Sequence, residues 1–468
     1  MTRPNVLLVV LDTARADHFG PWGGKGRTPA FNAFAASGTV VPLARAAAPW
    51  TVPSHASMFS GLPPFLHGVT GGAARGPDGA LATLAPIIQG HAERWLPEVM
   101  RRNGYRTFAI SANVWITPGM GFDLGFDEFH PVGVAKVAPR GVPPARPRGA
   151  KALVPAGLRA RVKGPVRHLG DARNGRDFGS RAALAHLRHE ARRGGADAPF
   201  FGFVNIMECH APYLPPPPFN PLRGIARLRA PAYARRYLLD AHTTAYNLGA
   251  AEVPERALAA FRSLYAGEVA FADTFVAGTV AHLAAEGLTA NTLTVVTSDH
   301  GEHLGESHLL GHQLSLDPAL LHVPFAMSGP GVPPAPSQAA WSTTGIPRLI
   351  AEAVGLDAPW DAPGPIAVSQ YEGGRRQIRR AEEAESRYRL SEAQRGHLEA
   401  VMDQATDGVA TLTRDHRGEH VAGSEERVPA LREVLDAVRG DGPPDAGSGY
   451  RPEQEAEIEA HLEELGYL

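Results

Sequence analysis

Asn5-Val6-Leu7-Leu8-Val9-Val10-Leu11, followed at once by Asp12, is a continuous apolar run of strand length that ends on a carboxylate. A half-exposed strand would alternate polar and apolar residues. An unbroken run suits a central strand of a parallel sheet covered on both faces. The chain around it keeps a matching rhythm. Strands are expected over 105–111, 199–206, 291–298 and 323–328, and helices over 29–37, 53–60, 92–103, 181–193 and 256–286. Gly38, Gly61, Gly104 and Gly287 stand where helices should stop. Strands alternating with helices predict the α/β class, a mostly parallel central sheet flanked by helices.

This pattern fades after about Asp361, so residues 1–360 read as the main α/β domain and 361–468 as a small C-terminal α+β subdomain. In the tail a solvated helix is expected over 375–399, short strands over 408–421 and an amphipathic helix over 452–468. Two segments interrupt the main domain. Residues 133–176 are rich in proline, glycine and arginine, which suits a solvated loop or a groove wall for anions. Residues 212–254 begin with a proline run and follow His210, which suits a lid or a surface excursion.

Bulk properties narrow the function. The chain has 468 residues, 44% hydrophobic and 20% charged, with a formal net charge of −2. That balance supplies no global attraction to nucleic acid or anionic membranes. Cys209 is the single cysteine, so no intramolecular disulfide can form, and a cytoplasmic protein is expected. The apolar run at 6–11 is too short to cross a bilayer and no cleavage site follows it, so no membrane span is expected. Oligomeric state has no signature here.

Chemistry concentrates at four positions. Asp12 ends the first strand, and Asp299 and His300 end a later one, where ligand sites of open α/β sheets gather. Thr51 lies just ahead of the helix expected from Pro53, where free N–H groups and the helix dipole favour an anion. Two carboxylates, an imidazole and a hydroxyl make a divalent-metal shell, and a metal there would turn Thr51 into a nucleophile at neutral pH. Each residue alone has a plainer reading as a cap or turn former. Asn113, after the strand at 105–111, is either a turn former or a substrate-binding residue.

Several segments in order carry a resemblance to the sulfatase family of the alkaline phosphatase superfamily. They are Arg3-Pro4-Asn5-Val6 through Leu11-Asp12-Thr13, Pro49 through Gly61, and Met207-Glu208-Cys209-His210-Ala211-Pro212-Tyr213. Next come Asn291 through Ser298-Asp299-His300-Gly301-Glu302-His303-Leu304-Gly305, on to Gly311-His312, and the terminal Leu465-Gly466-Tyr467-Leu468. The resemblance implies an alkaline phosphatase-like fold. It implies metal ligation by Asp12, Thr51, Asp299 and His300, with Thr51 as nucleophile. It places His210 and His312 where family members contact the transferred or leaving group. His303 and His308 are expected to be loop residues.

The chain also departs from that family. Sulfatases resemble Cys/Ser-x-Pro-x-Arg at the nucleophile, whose first residue is oxidised to formylglycine; here the residues are Thr51, Pro53 and His55. Oxidising threonine gives a ketone, which closes the aldehyde-hydrate route. Threonine-bearing relatives resemble phosphoryl-transfer enzymes that pass through phosphothreonine. His55 becomes a substrate-binding candidate at the arginine position, and Thr13 replaces a second acidic ligand. One divalent ion is implied, zinc or manganese rather than calcium, because calcium prefers an all-oxygen shell. The expectation is a metal-dependent hydrolase of a small phosphoester or phosphonate ester. A sulfuric-ester hydrolase, a soluble phosphotransferase and an inactive anion-binding homologue are the alternatives.

Overall fold

A computed structural model describes residues 3–70, 83–132, 175–193, 198–238, 240–336, 339–357, 359–362, 364–373, 382, 384–398 and 401–439. Its strands in chain order are β1 (Asn5–Leu11), β2 (Thr39–Val40), β3 (Ala44–Arg45), β4 (Arg106–Ser111), β5 (Glu128–Pro131) and β6 (Phe200–Ile206). Then follow β7 (Thr292–Thr297), β8 (His303–Leu304), β9 (Leu310–Gly311), β10 (His322–Val323), β11 (Phe325–Ser328) and β12 (Trp341–Ser342). The last are β13 (Ala367–Glu372), β14 (Val401–Thr406), β15 (Ala410–Asp415) and β16 (Gly418–Gly423).

The central sheet has seven strands in the order β2-β11-β7-β1-β6-β4-β5. Strand β1 lies inside it, parallel to β6 on one side and to β7 on the other, in the registers Val9↔Val204 and Val9↔Val296. All of its residues are buried, which is why the run carries no polar alternation. Strands β4 and β5 continue the parallel set, whereas β11 runs antiparallel to β7 and β2. Helices pack on the sheet, among them Ser180–Arg192 and Pro29–Ala36, and the long Glu255–Ala285 packs against both of these. Among the described residues no helix is long and apolar enough to cross a membrane.

Two expected elements are broken, each at a proline. The helix expected over 92–103 is a 3-10 turn, Ala92–Arg94, followed by the helix Leu96–Arg102 with Pro97 in its first turn. Proline tolerates a helix start but not a helix interior. The strand expected over 323–328 divides around Pro324. There β10 pairs with β3 in a small sheet, whereas β11 joins the central one.

In the tail β13, β14, β15 and β16 form an antiparallel sheet, covered by the helix Val428–Arg439 over a small core that includes Leu412, Leu431 and Leu435. Of these strands the pattern at 408–421 indicated β15 and β16; β13 and β14 lacked a clear signal. Within the described residues the helix expected over 375–399 is interrupted by a turn after residue 385 and resumes as Glu392–Leu398. Of the insertion expected over 133–176 all but the last two residues, and the whole of the helix expected over 452–468, lie outside them.

Phe203 on β6 anchors the core beneath the site. Its ring meets Phe59 at 5.0 Å, His55 at 5.7 Å and Phe126 at 6.2 Å. Phe203→Ala should cost about 3–5 kcal/mol, read as a lowered denaturant midpoint. It should also loosen the helix that carries Thr51.

Candidate active site

The carboxyl ends of β1, β4, β6 and β7 converge. Asp12 follows β1, and its N–H donates to Ile206 O at the end of β6. Asn113 follows β4, and its amide donates to Asp12 Oδ2 at 2.8 Å. Asn205 of β6 donates to the same oxygen at 3.3 Å. Asp299 and His300 follow β7. Asp299 Oδ1 accepts the N–H groups of Thr13, at 3.1 Å, and of His300, at 2.9 Å. Thr13 holds a positive φ of 58°, rare for a β-branched residue, which turns its N–H toward that carboxylate.

Thr51 is the first residue of the buried helix Thr51–Ser60, and Trp50 is its cap. The start at Thr51 rather than Pro53 follows from first-turn geometry, where N–H groups lack intrahelical acceptors and a proline costs nothing. Thr51 Oγ1 lies 3.3 Å from His300 Nε2 and 3.5 Å from the Asn113 amide.

Hydrogen bonds assign the imidazole protons. His300 Nδ1 donates to Gly301 O at 2.9 Å, so Nε2 carries a lone pair. That lone pair faces Asp299 Oδ2 at 3.3 Å. Asp299 Oδ2 and Asp12 Oδ1 are fully buried and have no hydrogen-bond partner. One ligand atom each from Asp12, Asp299 and His300 fall within 4.8 Å of one another. Electron-rich atoms that converge in a buried site suit a cation, and a backbone carbonyl on the far nitrogen is the usual support of a metal-binding histidine. The residues therefore fit a divalent ion. Burial and mutual repulsion push Asp12 up to about 6, and burial pushes Asp299 up to about 7 and His300 down to about 3. These shifts are the electrostatic cost of the metal-free arrangement.

A second group of possible ligands, Glu128, His130 and Glu190, lies at the sheet edge. Arg106 meets Glu190 at 2.7 Å and Arg193 meets Glu128 at 2.5 Å, so arginines already neutralise it.

His55 is fully buried behind Thr51 and is not part of the cleft wall. Its Nδ1 donates to Thr51 O at 2.8 Å and its Nε2 accepts from Asn205 at 3.3 Å. Burial pushes it down to about 3, so it is a neutral brace for the helix start. His210 and His312 line the cleft with Thr51 and Asn113. Their rings lie 5.0 Å apart, and His312 is 4.7 Å from His300. Trp50, Trp115, Leu238, Leu310 and Leu314 supply apolar wall, and Thr243, Thr244 and Asn247 add polar wall from residues 212–254. The cleft encloses about 910 Å³, part of it open to solvent. Cys209 is buried, as expected of a small apolar residue. His303 is a buried strand residue rather than a loop residue, whereas His308 lies in a 3-10 turn.

A sulfatase family profile matches residues 4–356. The chain belongs to the sulfatase family. Solved structures share the fold across nearly its whole length. The phosphonate monoester hydrolase of Agrobacterium radiobacter is 18% identical, with 93% of this chain and 95% of that one covered and a TM-score of 0.60. For the phosphonate monoester hydrolase of Silicibacter pomeroyi the values are 17%, 93%, 94% and 0.58. For a 2-O GAG sulfatase they are 16%, 93%, 90% and 0.57. A search of curated proteins finds no match.

The protein is thus a sulfatase-family ester hydrolase of the alkaline phosphatase superfamily, whose members typically need a metal. In this sulfatase-family chain two polar residues were overlooked by sequence reasoning. Asn205 stands in an otherwise apolar strand, and a buried amide needs partners. Glu302 sits within the motif after β7, yet its partner was not legible. Asn113→Ala should lower metal affinity by roughly 10–100-fold with the fold intact, measured by chelator competition and circular dichroism.

Proposed function

We propose that this protein hydrolyses a small anionic phosphoester or phosphonate ester, with Thr51 as covalent nucleophile. The observation that carries this reading is the Thr51 hydroxyl at a helix start, 3.3 Å from the lone pair of His300, beside two carboxylate oxygens without partners. Threonine cannot yield the formylglycine aldehyde, so the side chain must act as an alcohol. Asp12, Asp299, His300 and Thr51 would hold one divalent ion, zinc or manganese by donor type. When bound, that ion supplies positive charge that acidifies the Thr51 hydroxyl and draws electron density from the ester oxygens.

The chain's own groups do the rest. The free N–H groups of the first helical turn favour an anion at Thr51. Asn113 donates toward Thr51 Oγ1 and the Asp12 carboxylate, which fixes both. Thr51 Oγ attacks phosphorus, its proton passes to solvent and the bond from phosphorus to the leaving oxygen breaks. His210 or His312 stabilises or protonates that oxygen. Water then displaces the group from phosphothreonine and restores the alcohol.

Sulfuric-ester hydrolysis is a second reading, favoured by the family match itself. Purified, metal-replete protein given aryl phosphodiester, phosphonate and sulfate esters separates the two. Preference for phosphorus esters and an intact-mass increase of one phosphoryl group on Thr51 are expected. Preferential sulfate turnover without that adduct would overturn the proposal.

A further inference from the structure

Strands β8 and β9 form a hairpin with the pairs His303↔Gly311 and Leu304↔Leu310. Glu302 enters it and His312 leaves it, so the register sets these two residues side by side where the hairpin opens on the cleft. His312 Nδ1 donates to Glu302 Oε1 at 3.0 Å. Glu302 is fully buried, and its backbone O accepts from Arg15 Nη1 at 3.0 Å. A buried carboxylate on the far nitrogen of an imidazole fixes both ring orientation and tautomer.

The hairpin is also held from outside. Asn247 donates to Leu310 O and accepts from Leu310 N, both at 2.9 Å. This side chain pairs with β9 as another strand would. Next to it Tyr246 stacks on His308 with centroids 4.0 Å apart. Ser307, His308 and Leu314 all have positive φ, at 53°, 58° and 62°. Non-glycine residues adopt this backbone only where surroundings impose it.

We propose that Glu302 and Asn247 are positioning residues that hold His312 against the leaving group. Glu302 fixes the ring, and Asn247 ties the hairpin to the helix Asp240–Asn247. This inference rests on the reading of His312 as the group that meets the leaving oxygen.

A double-mutant cycle tests it on whichever ester the metal-loaded enzyme turns over. Glu302→Leu should lower kcat for an alkyl-alcohol leaving group by roughly 100-fold, and for a nitrophenolate by less than about tenfold. Asn247→Leu should show the same pattern more weakly, and Glu302→Gln, which keeps an acceptor, should recover part of the loss. In a His312→Ala background neither change should cost more than about threefold. Equal losses with and without His312 would overturn the proposal. Nitrogen NMR gives a readout independent of turnover, with the His312 signal assigned by its absence from His312→Ala. The wild type should show the Nδ1–H tautomer and Glu302→Leu should lose it. A tautomer unchanged by Glu302→Leu would refute the positioning role. Failure to hydrolyse phosphorus esters would refute only the proposed function.

Discussion

Thr51→Ala should lower kcat/KM by about 10⁴-fold or more while leaving the fold intact. Thr51 is buried at the first position of its helix, and its hydroxyl hydrogen-bonds His300 and Asn113, at 3.3 and 3.5 Å. Alanine is a good helix former, so stability should change by no more than about 1 kcal/mol. The chemical consequence is far larger, because Thr51 is the cleft hydroxyl that hydrogen-bonds His300, one of the three clustered ligand candidates. Thr51→Ser keeps an alcohol at the same point and should retain measurable turnover. Steady-state kinetics with thermal unfolding on the three proteins decide the matter. Turnover by Thr51→Ala within roughly tenfold of wild type would remove threonine from the nucleophile's place.

Asp299→Asn should have the second largest effect, about 10³-fold or more on kcat. Asp299 is buried, its Oδ1 is held by two backbone N–H groups, and its Oδ2 faces the His300 lone pair. Replacing that carboxylate removes a ligand charge, so metal content should fall from one ion per chain to nearly none. Stability should respond in opposite directions. With metal at 100 times its Kd, binding stabilises the wild type by about 2.7 kcal/mol, and the variant loses that gain. After chelation the order should level or reverse, because the wild type then keeps two repelling buried acids and the variant one. Elemental analysis and unfolding with and without chelator test both halves. A variant that binds metal like the wild type would show that the ion lies elsewhere.

Much of the frame was legible because it depends on local pattern. The run Asn5–Leu11 has no polar residue before Asp12 except Asn5 at its start, and such a strand must be covered on both faces. The helix Glu255–Ala285 was clear from its length and its glycine stop. The misread boundaries lie at Pro53, Pro97 and Pro324, where one residue type permits either a start or a break. Strands β13 and β14 were missed because their faces alternate weakly and β13 meets its partner β14 only across a long connection.

The site divides in the same way. Asp12, Thr51, Asp299 and His300 could be named because carboxylates, imidazole and hydroxyl at strand and helix ends have few other uses together. Their distances could not. His55 looked like a substrate contact and stands instead behind the helix start. The partnership of Glu302 with His312 required the hairpin register. The grip of Asn247 on β9 required the packing of residues 212–254.

By itself the chain's sequence determined the α/β class, the buried strand and the chemical types gathered at its end, since these follow from side-chain polarity and short-range backbone preference. Only the tertiary structure decided that Thr51 meets His300 across 249 residues, or that Asn113 and Asn205 converge on one oxygen of Asp12. Such contacts depend on the order of strands in the sheet, and strand order is set by the packing of the whole core rather than by any one segment.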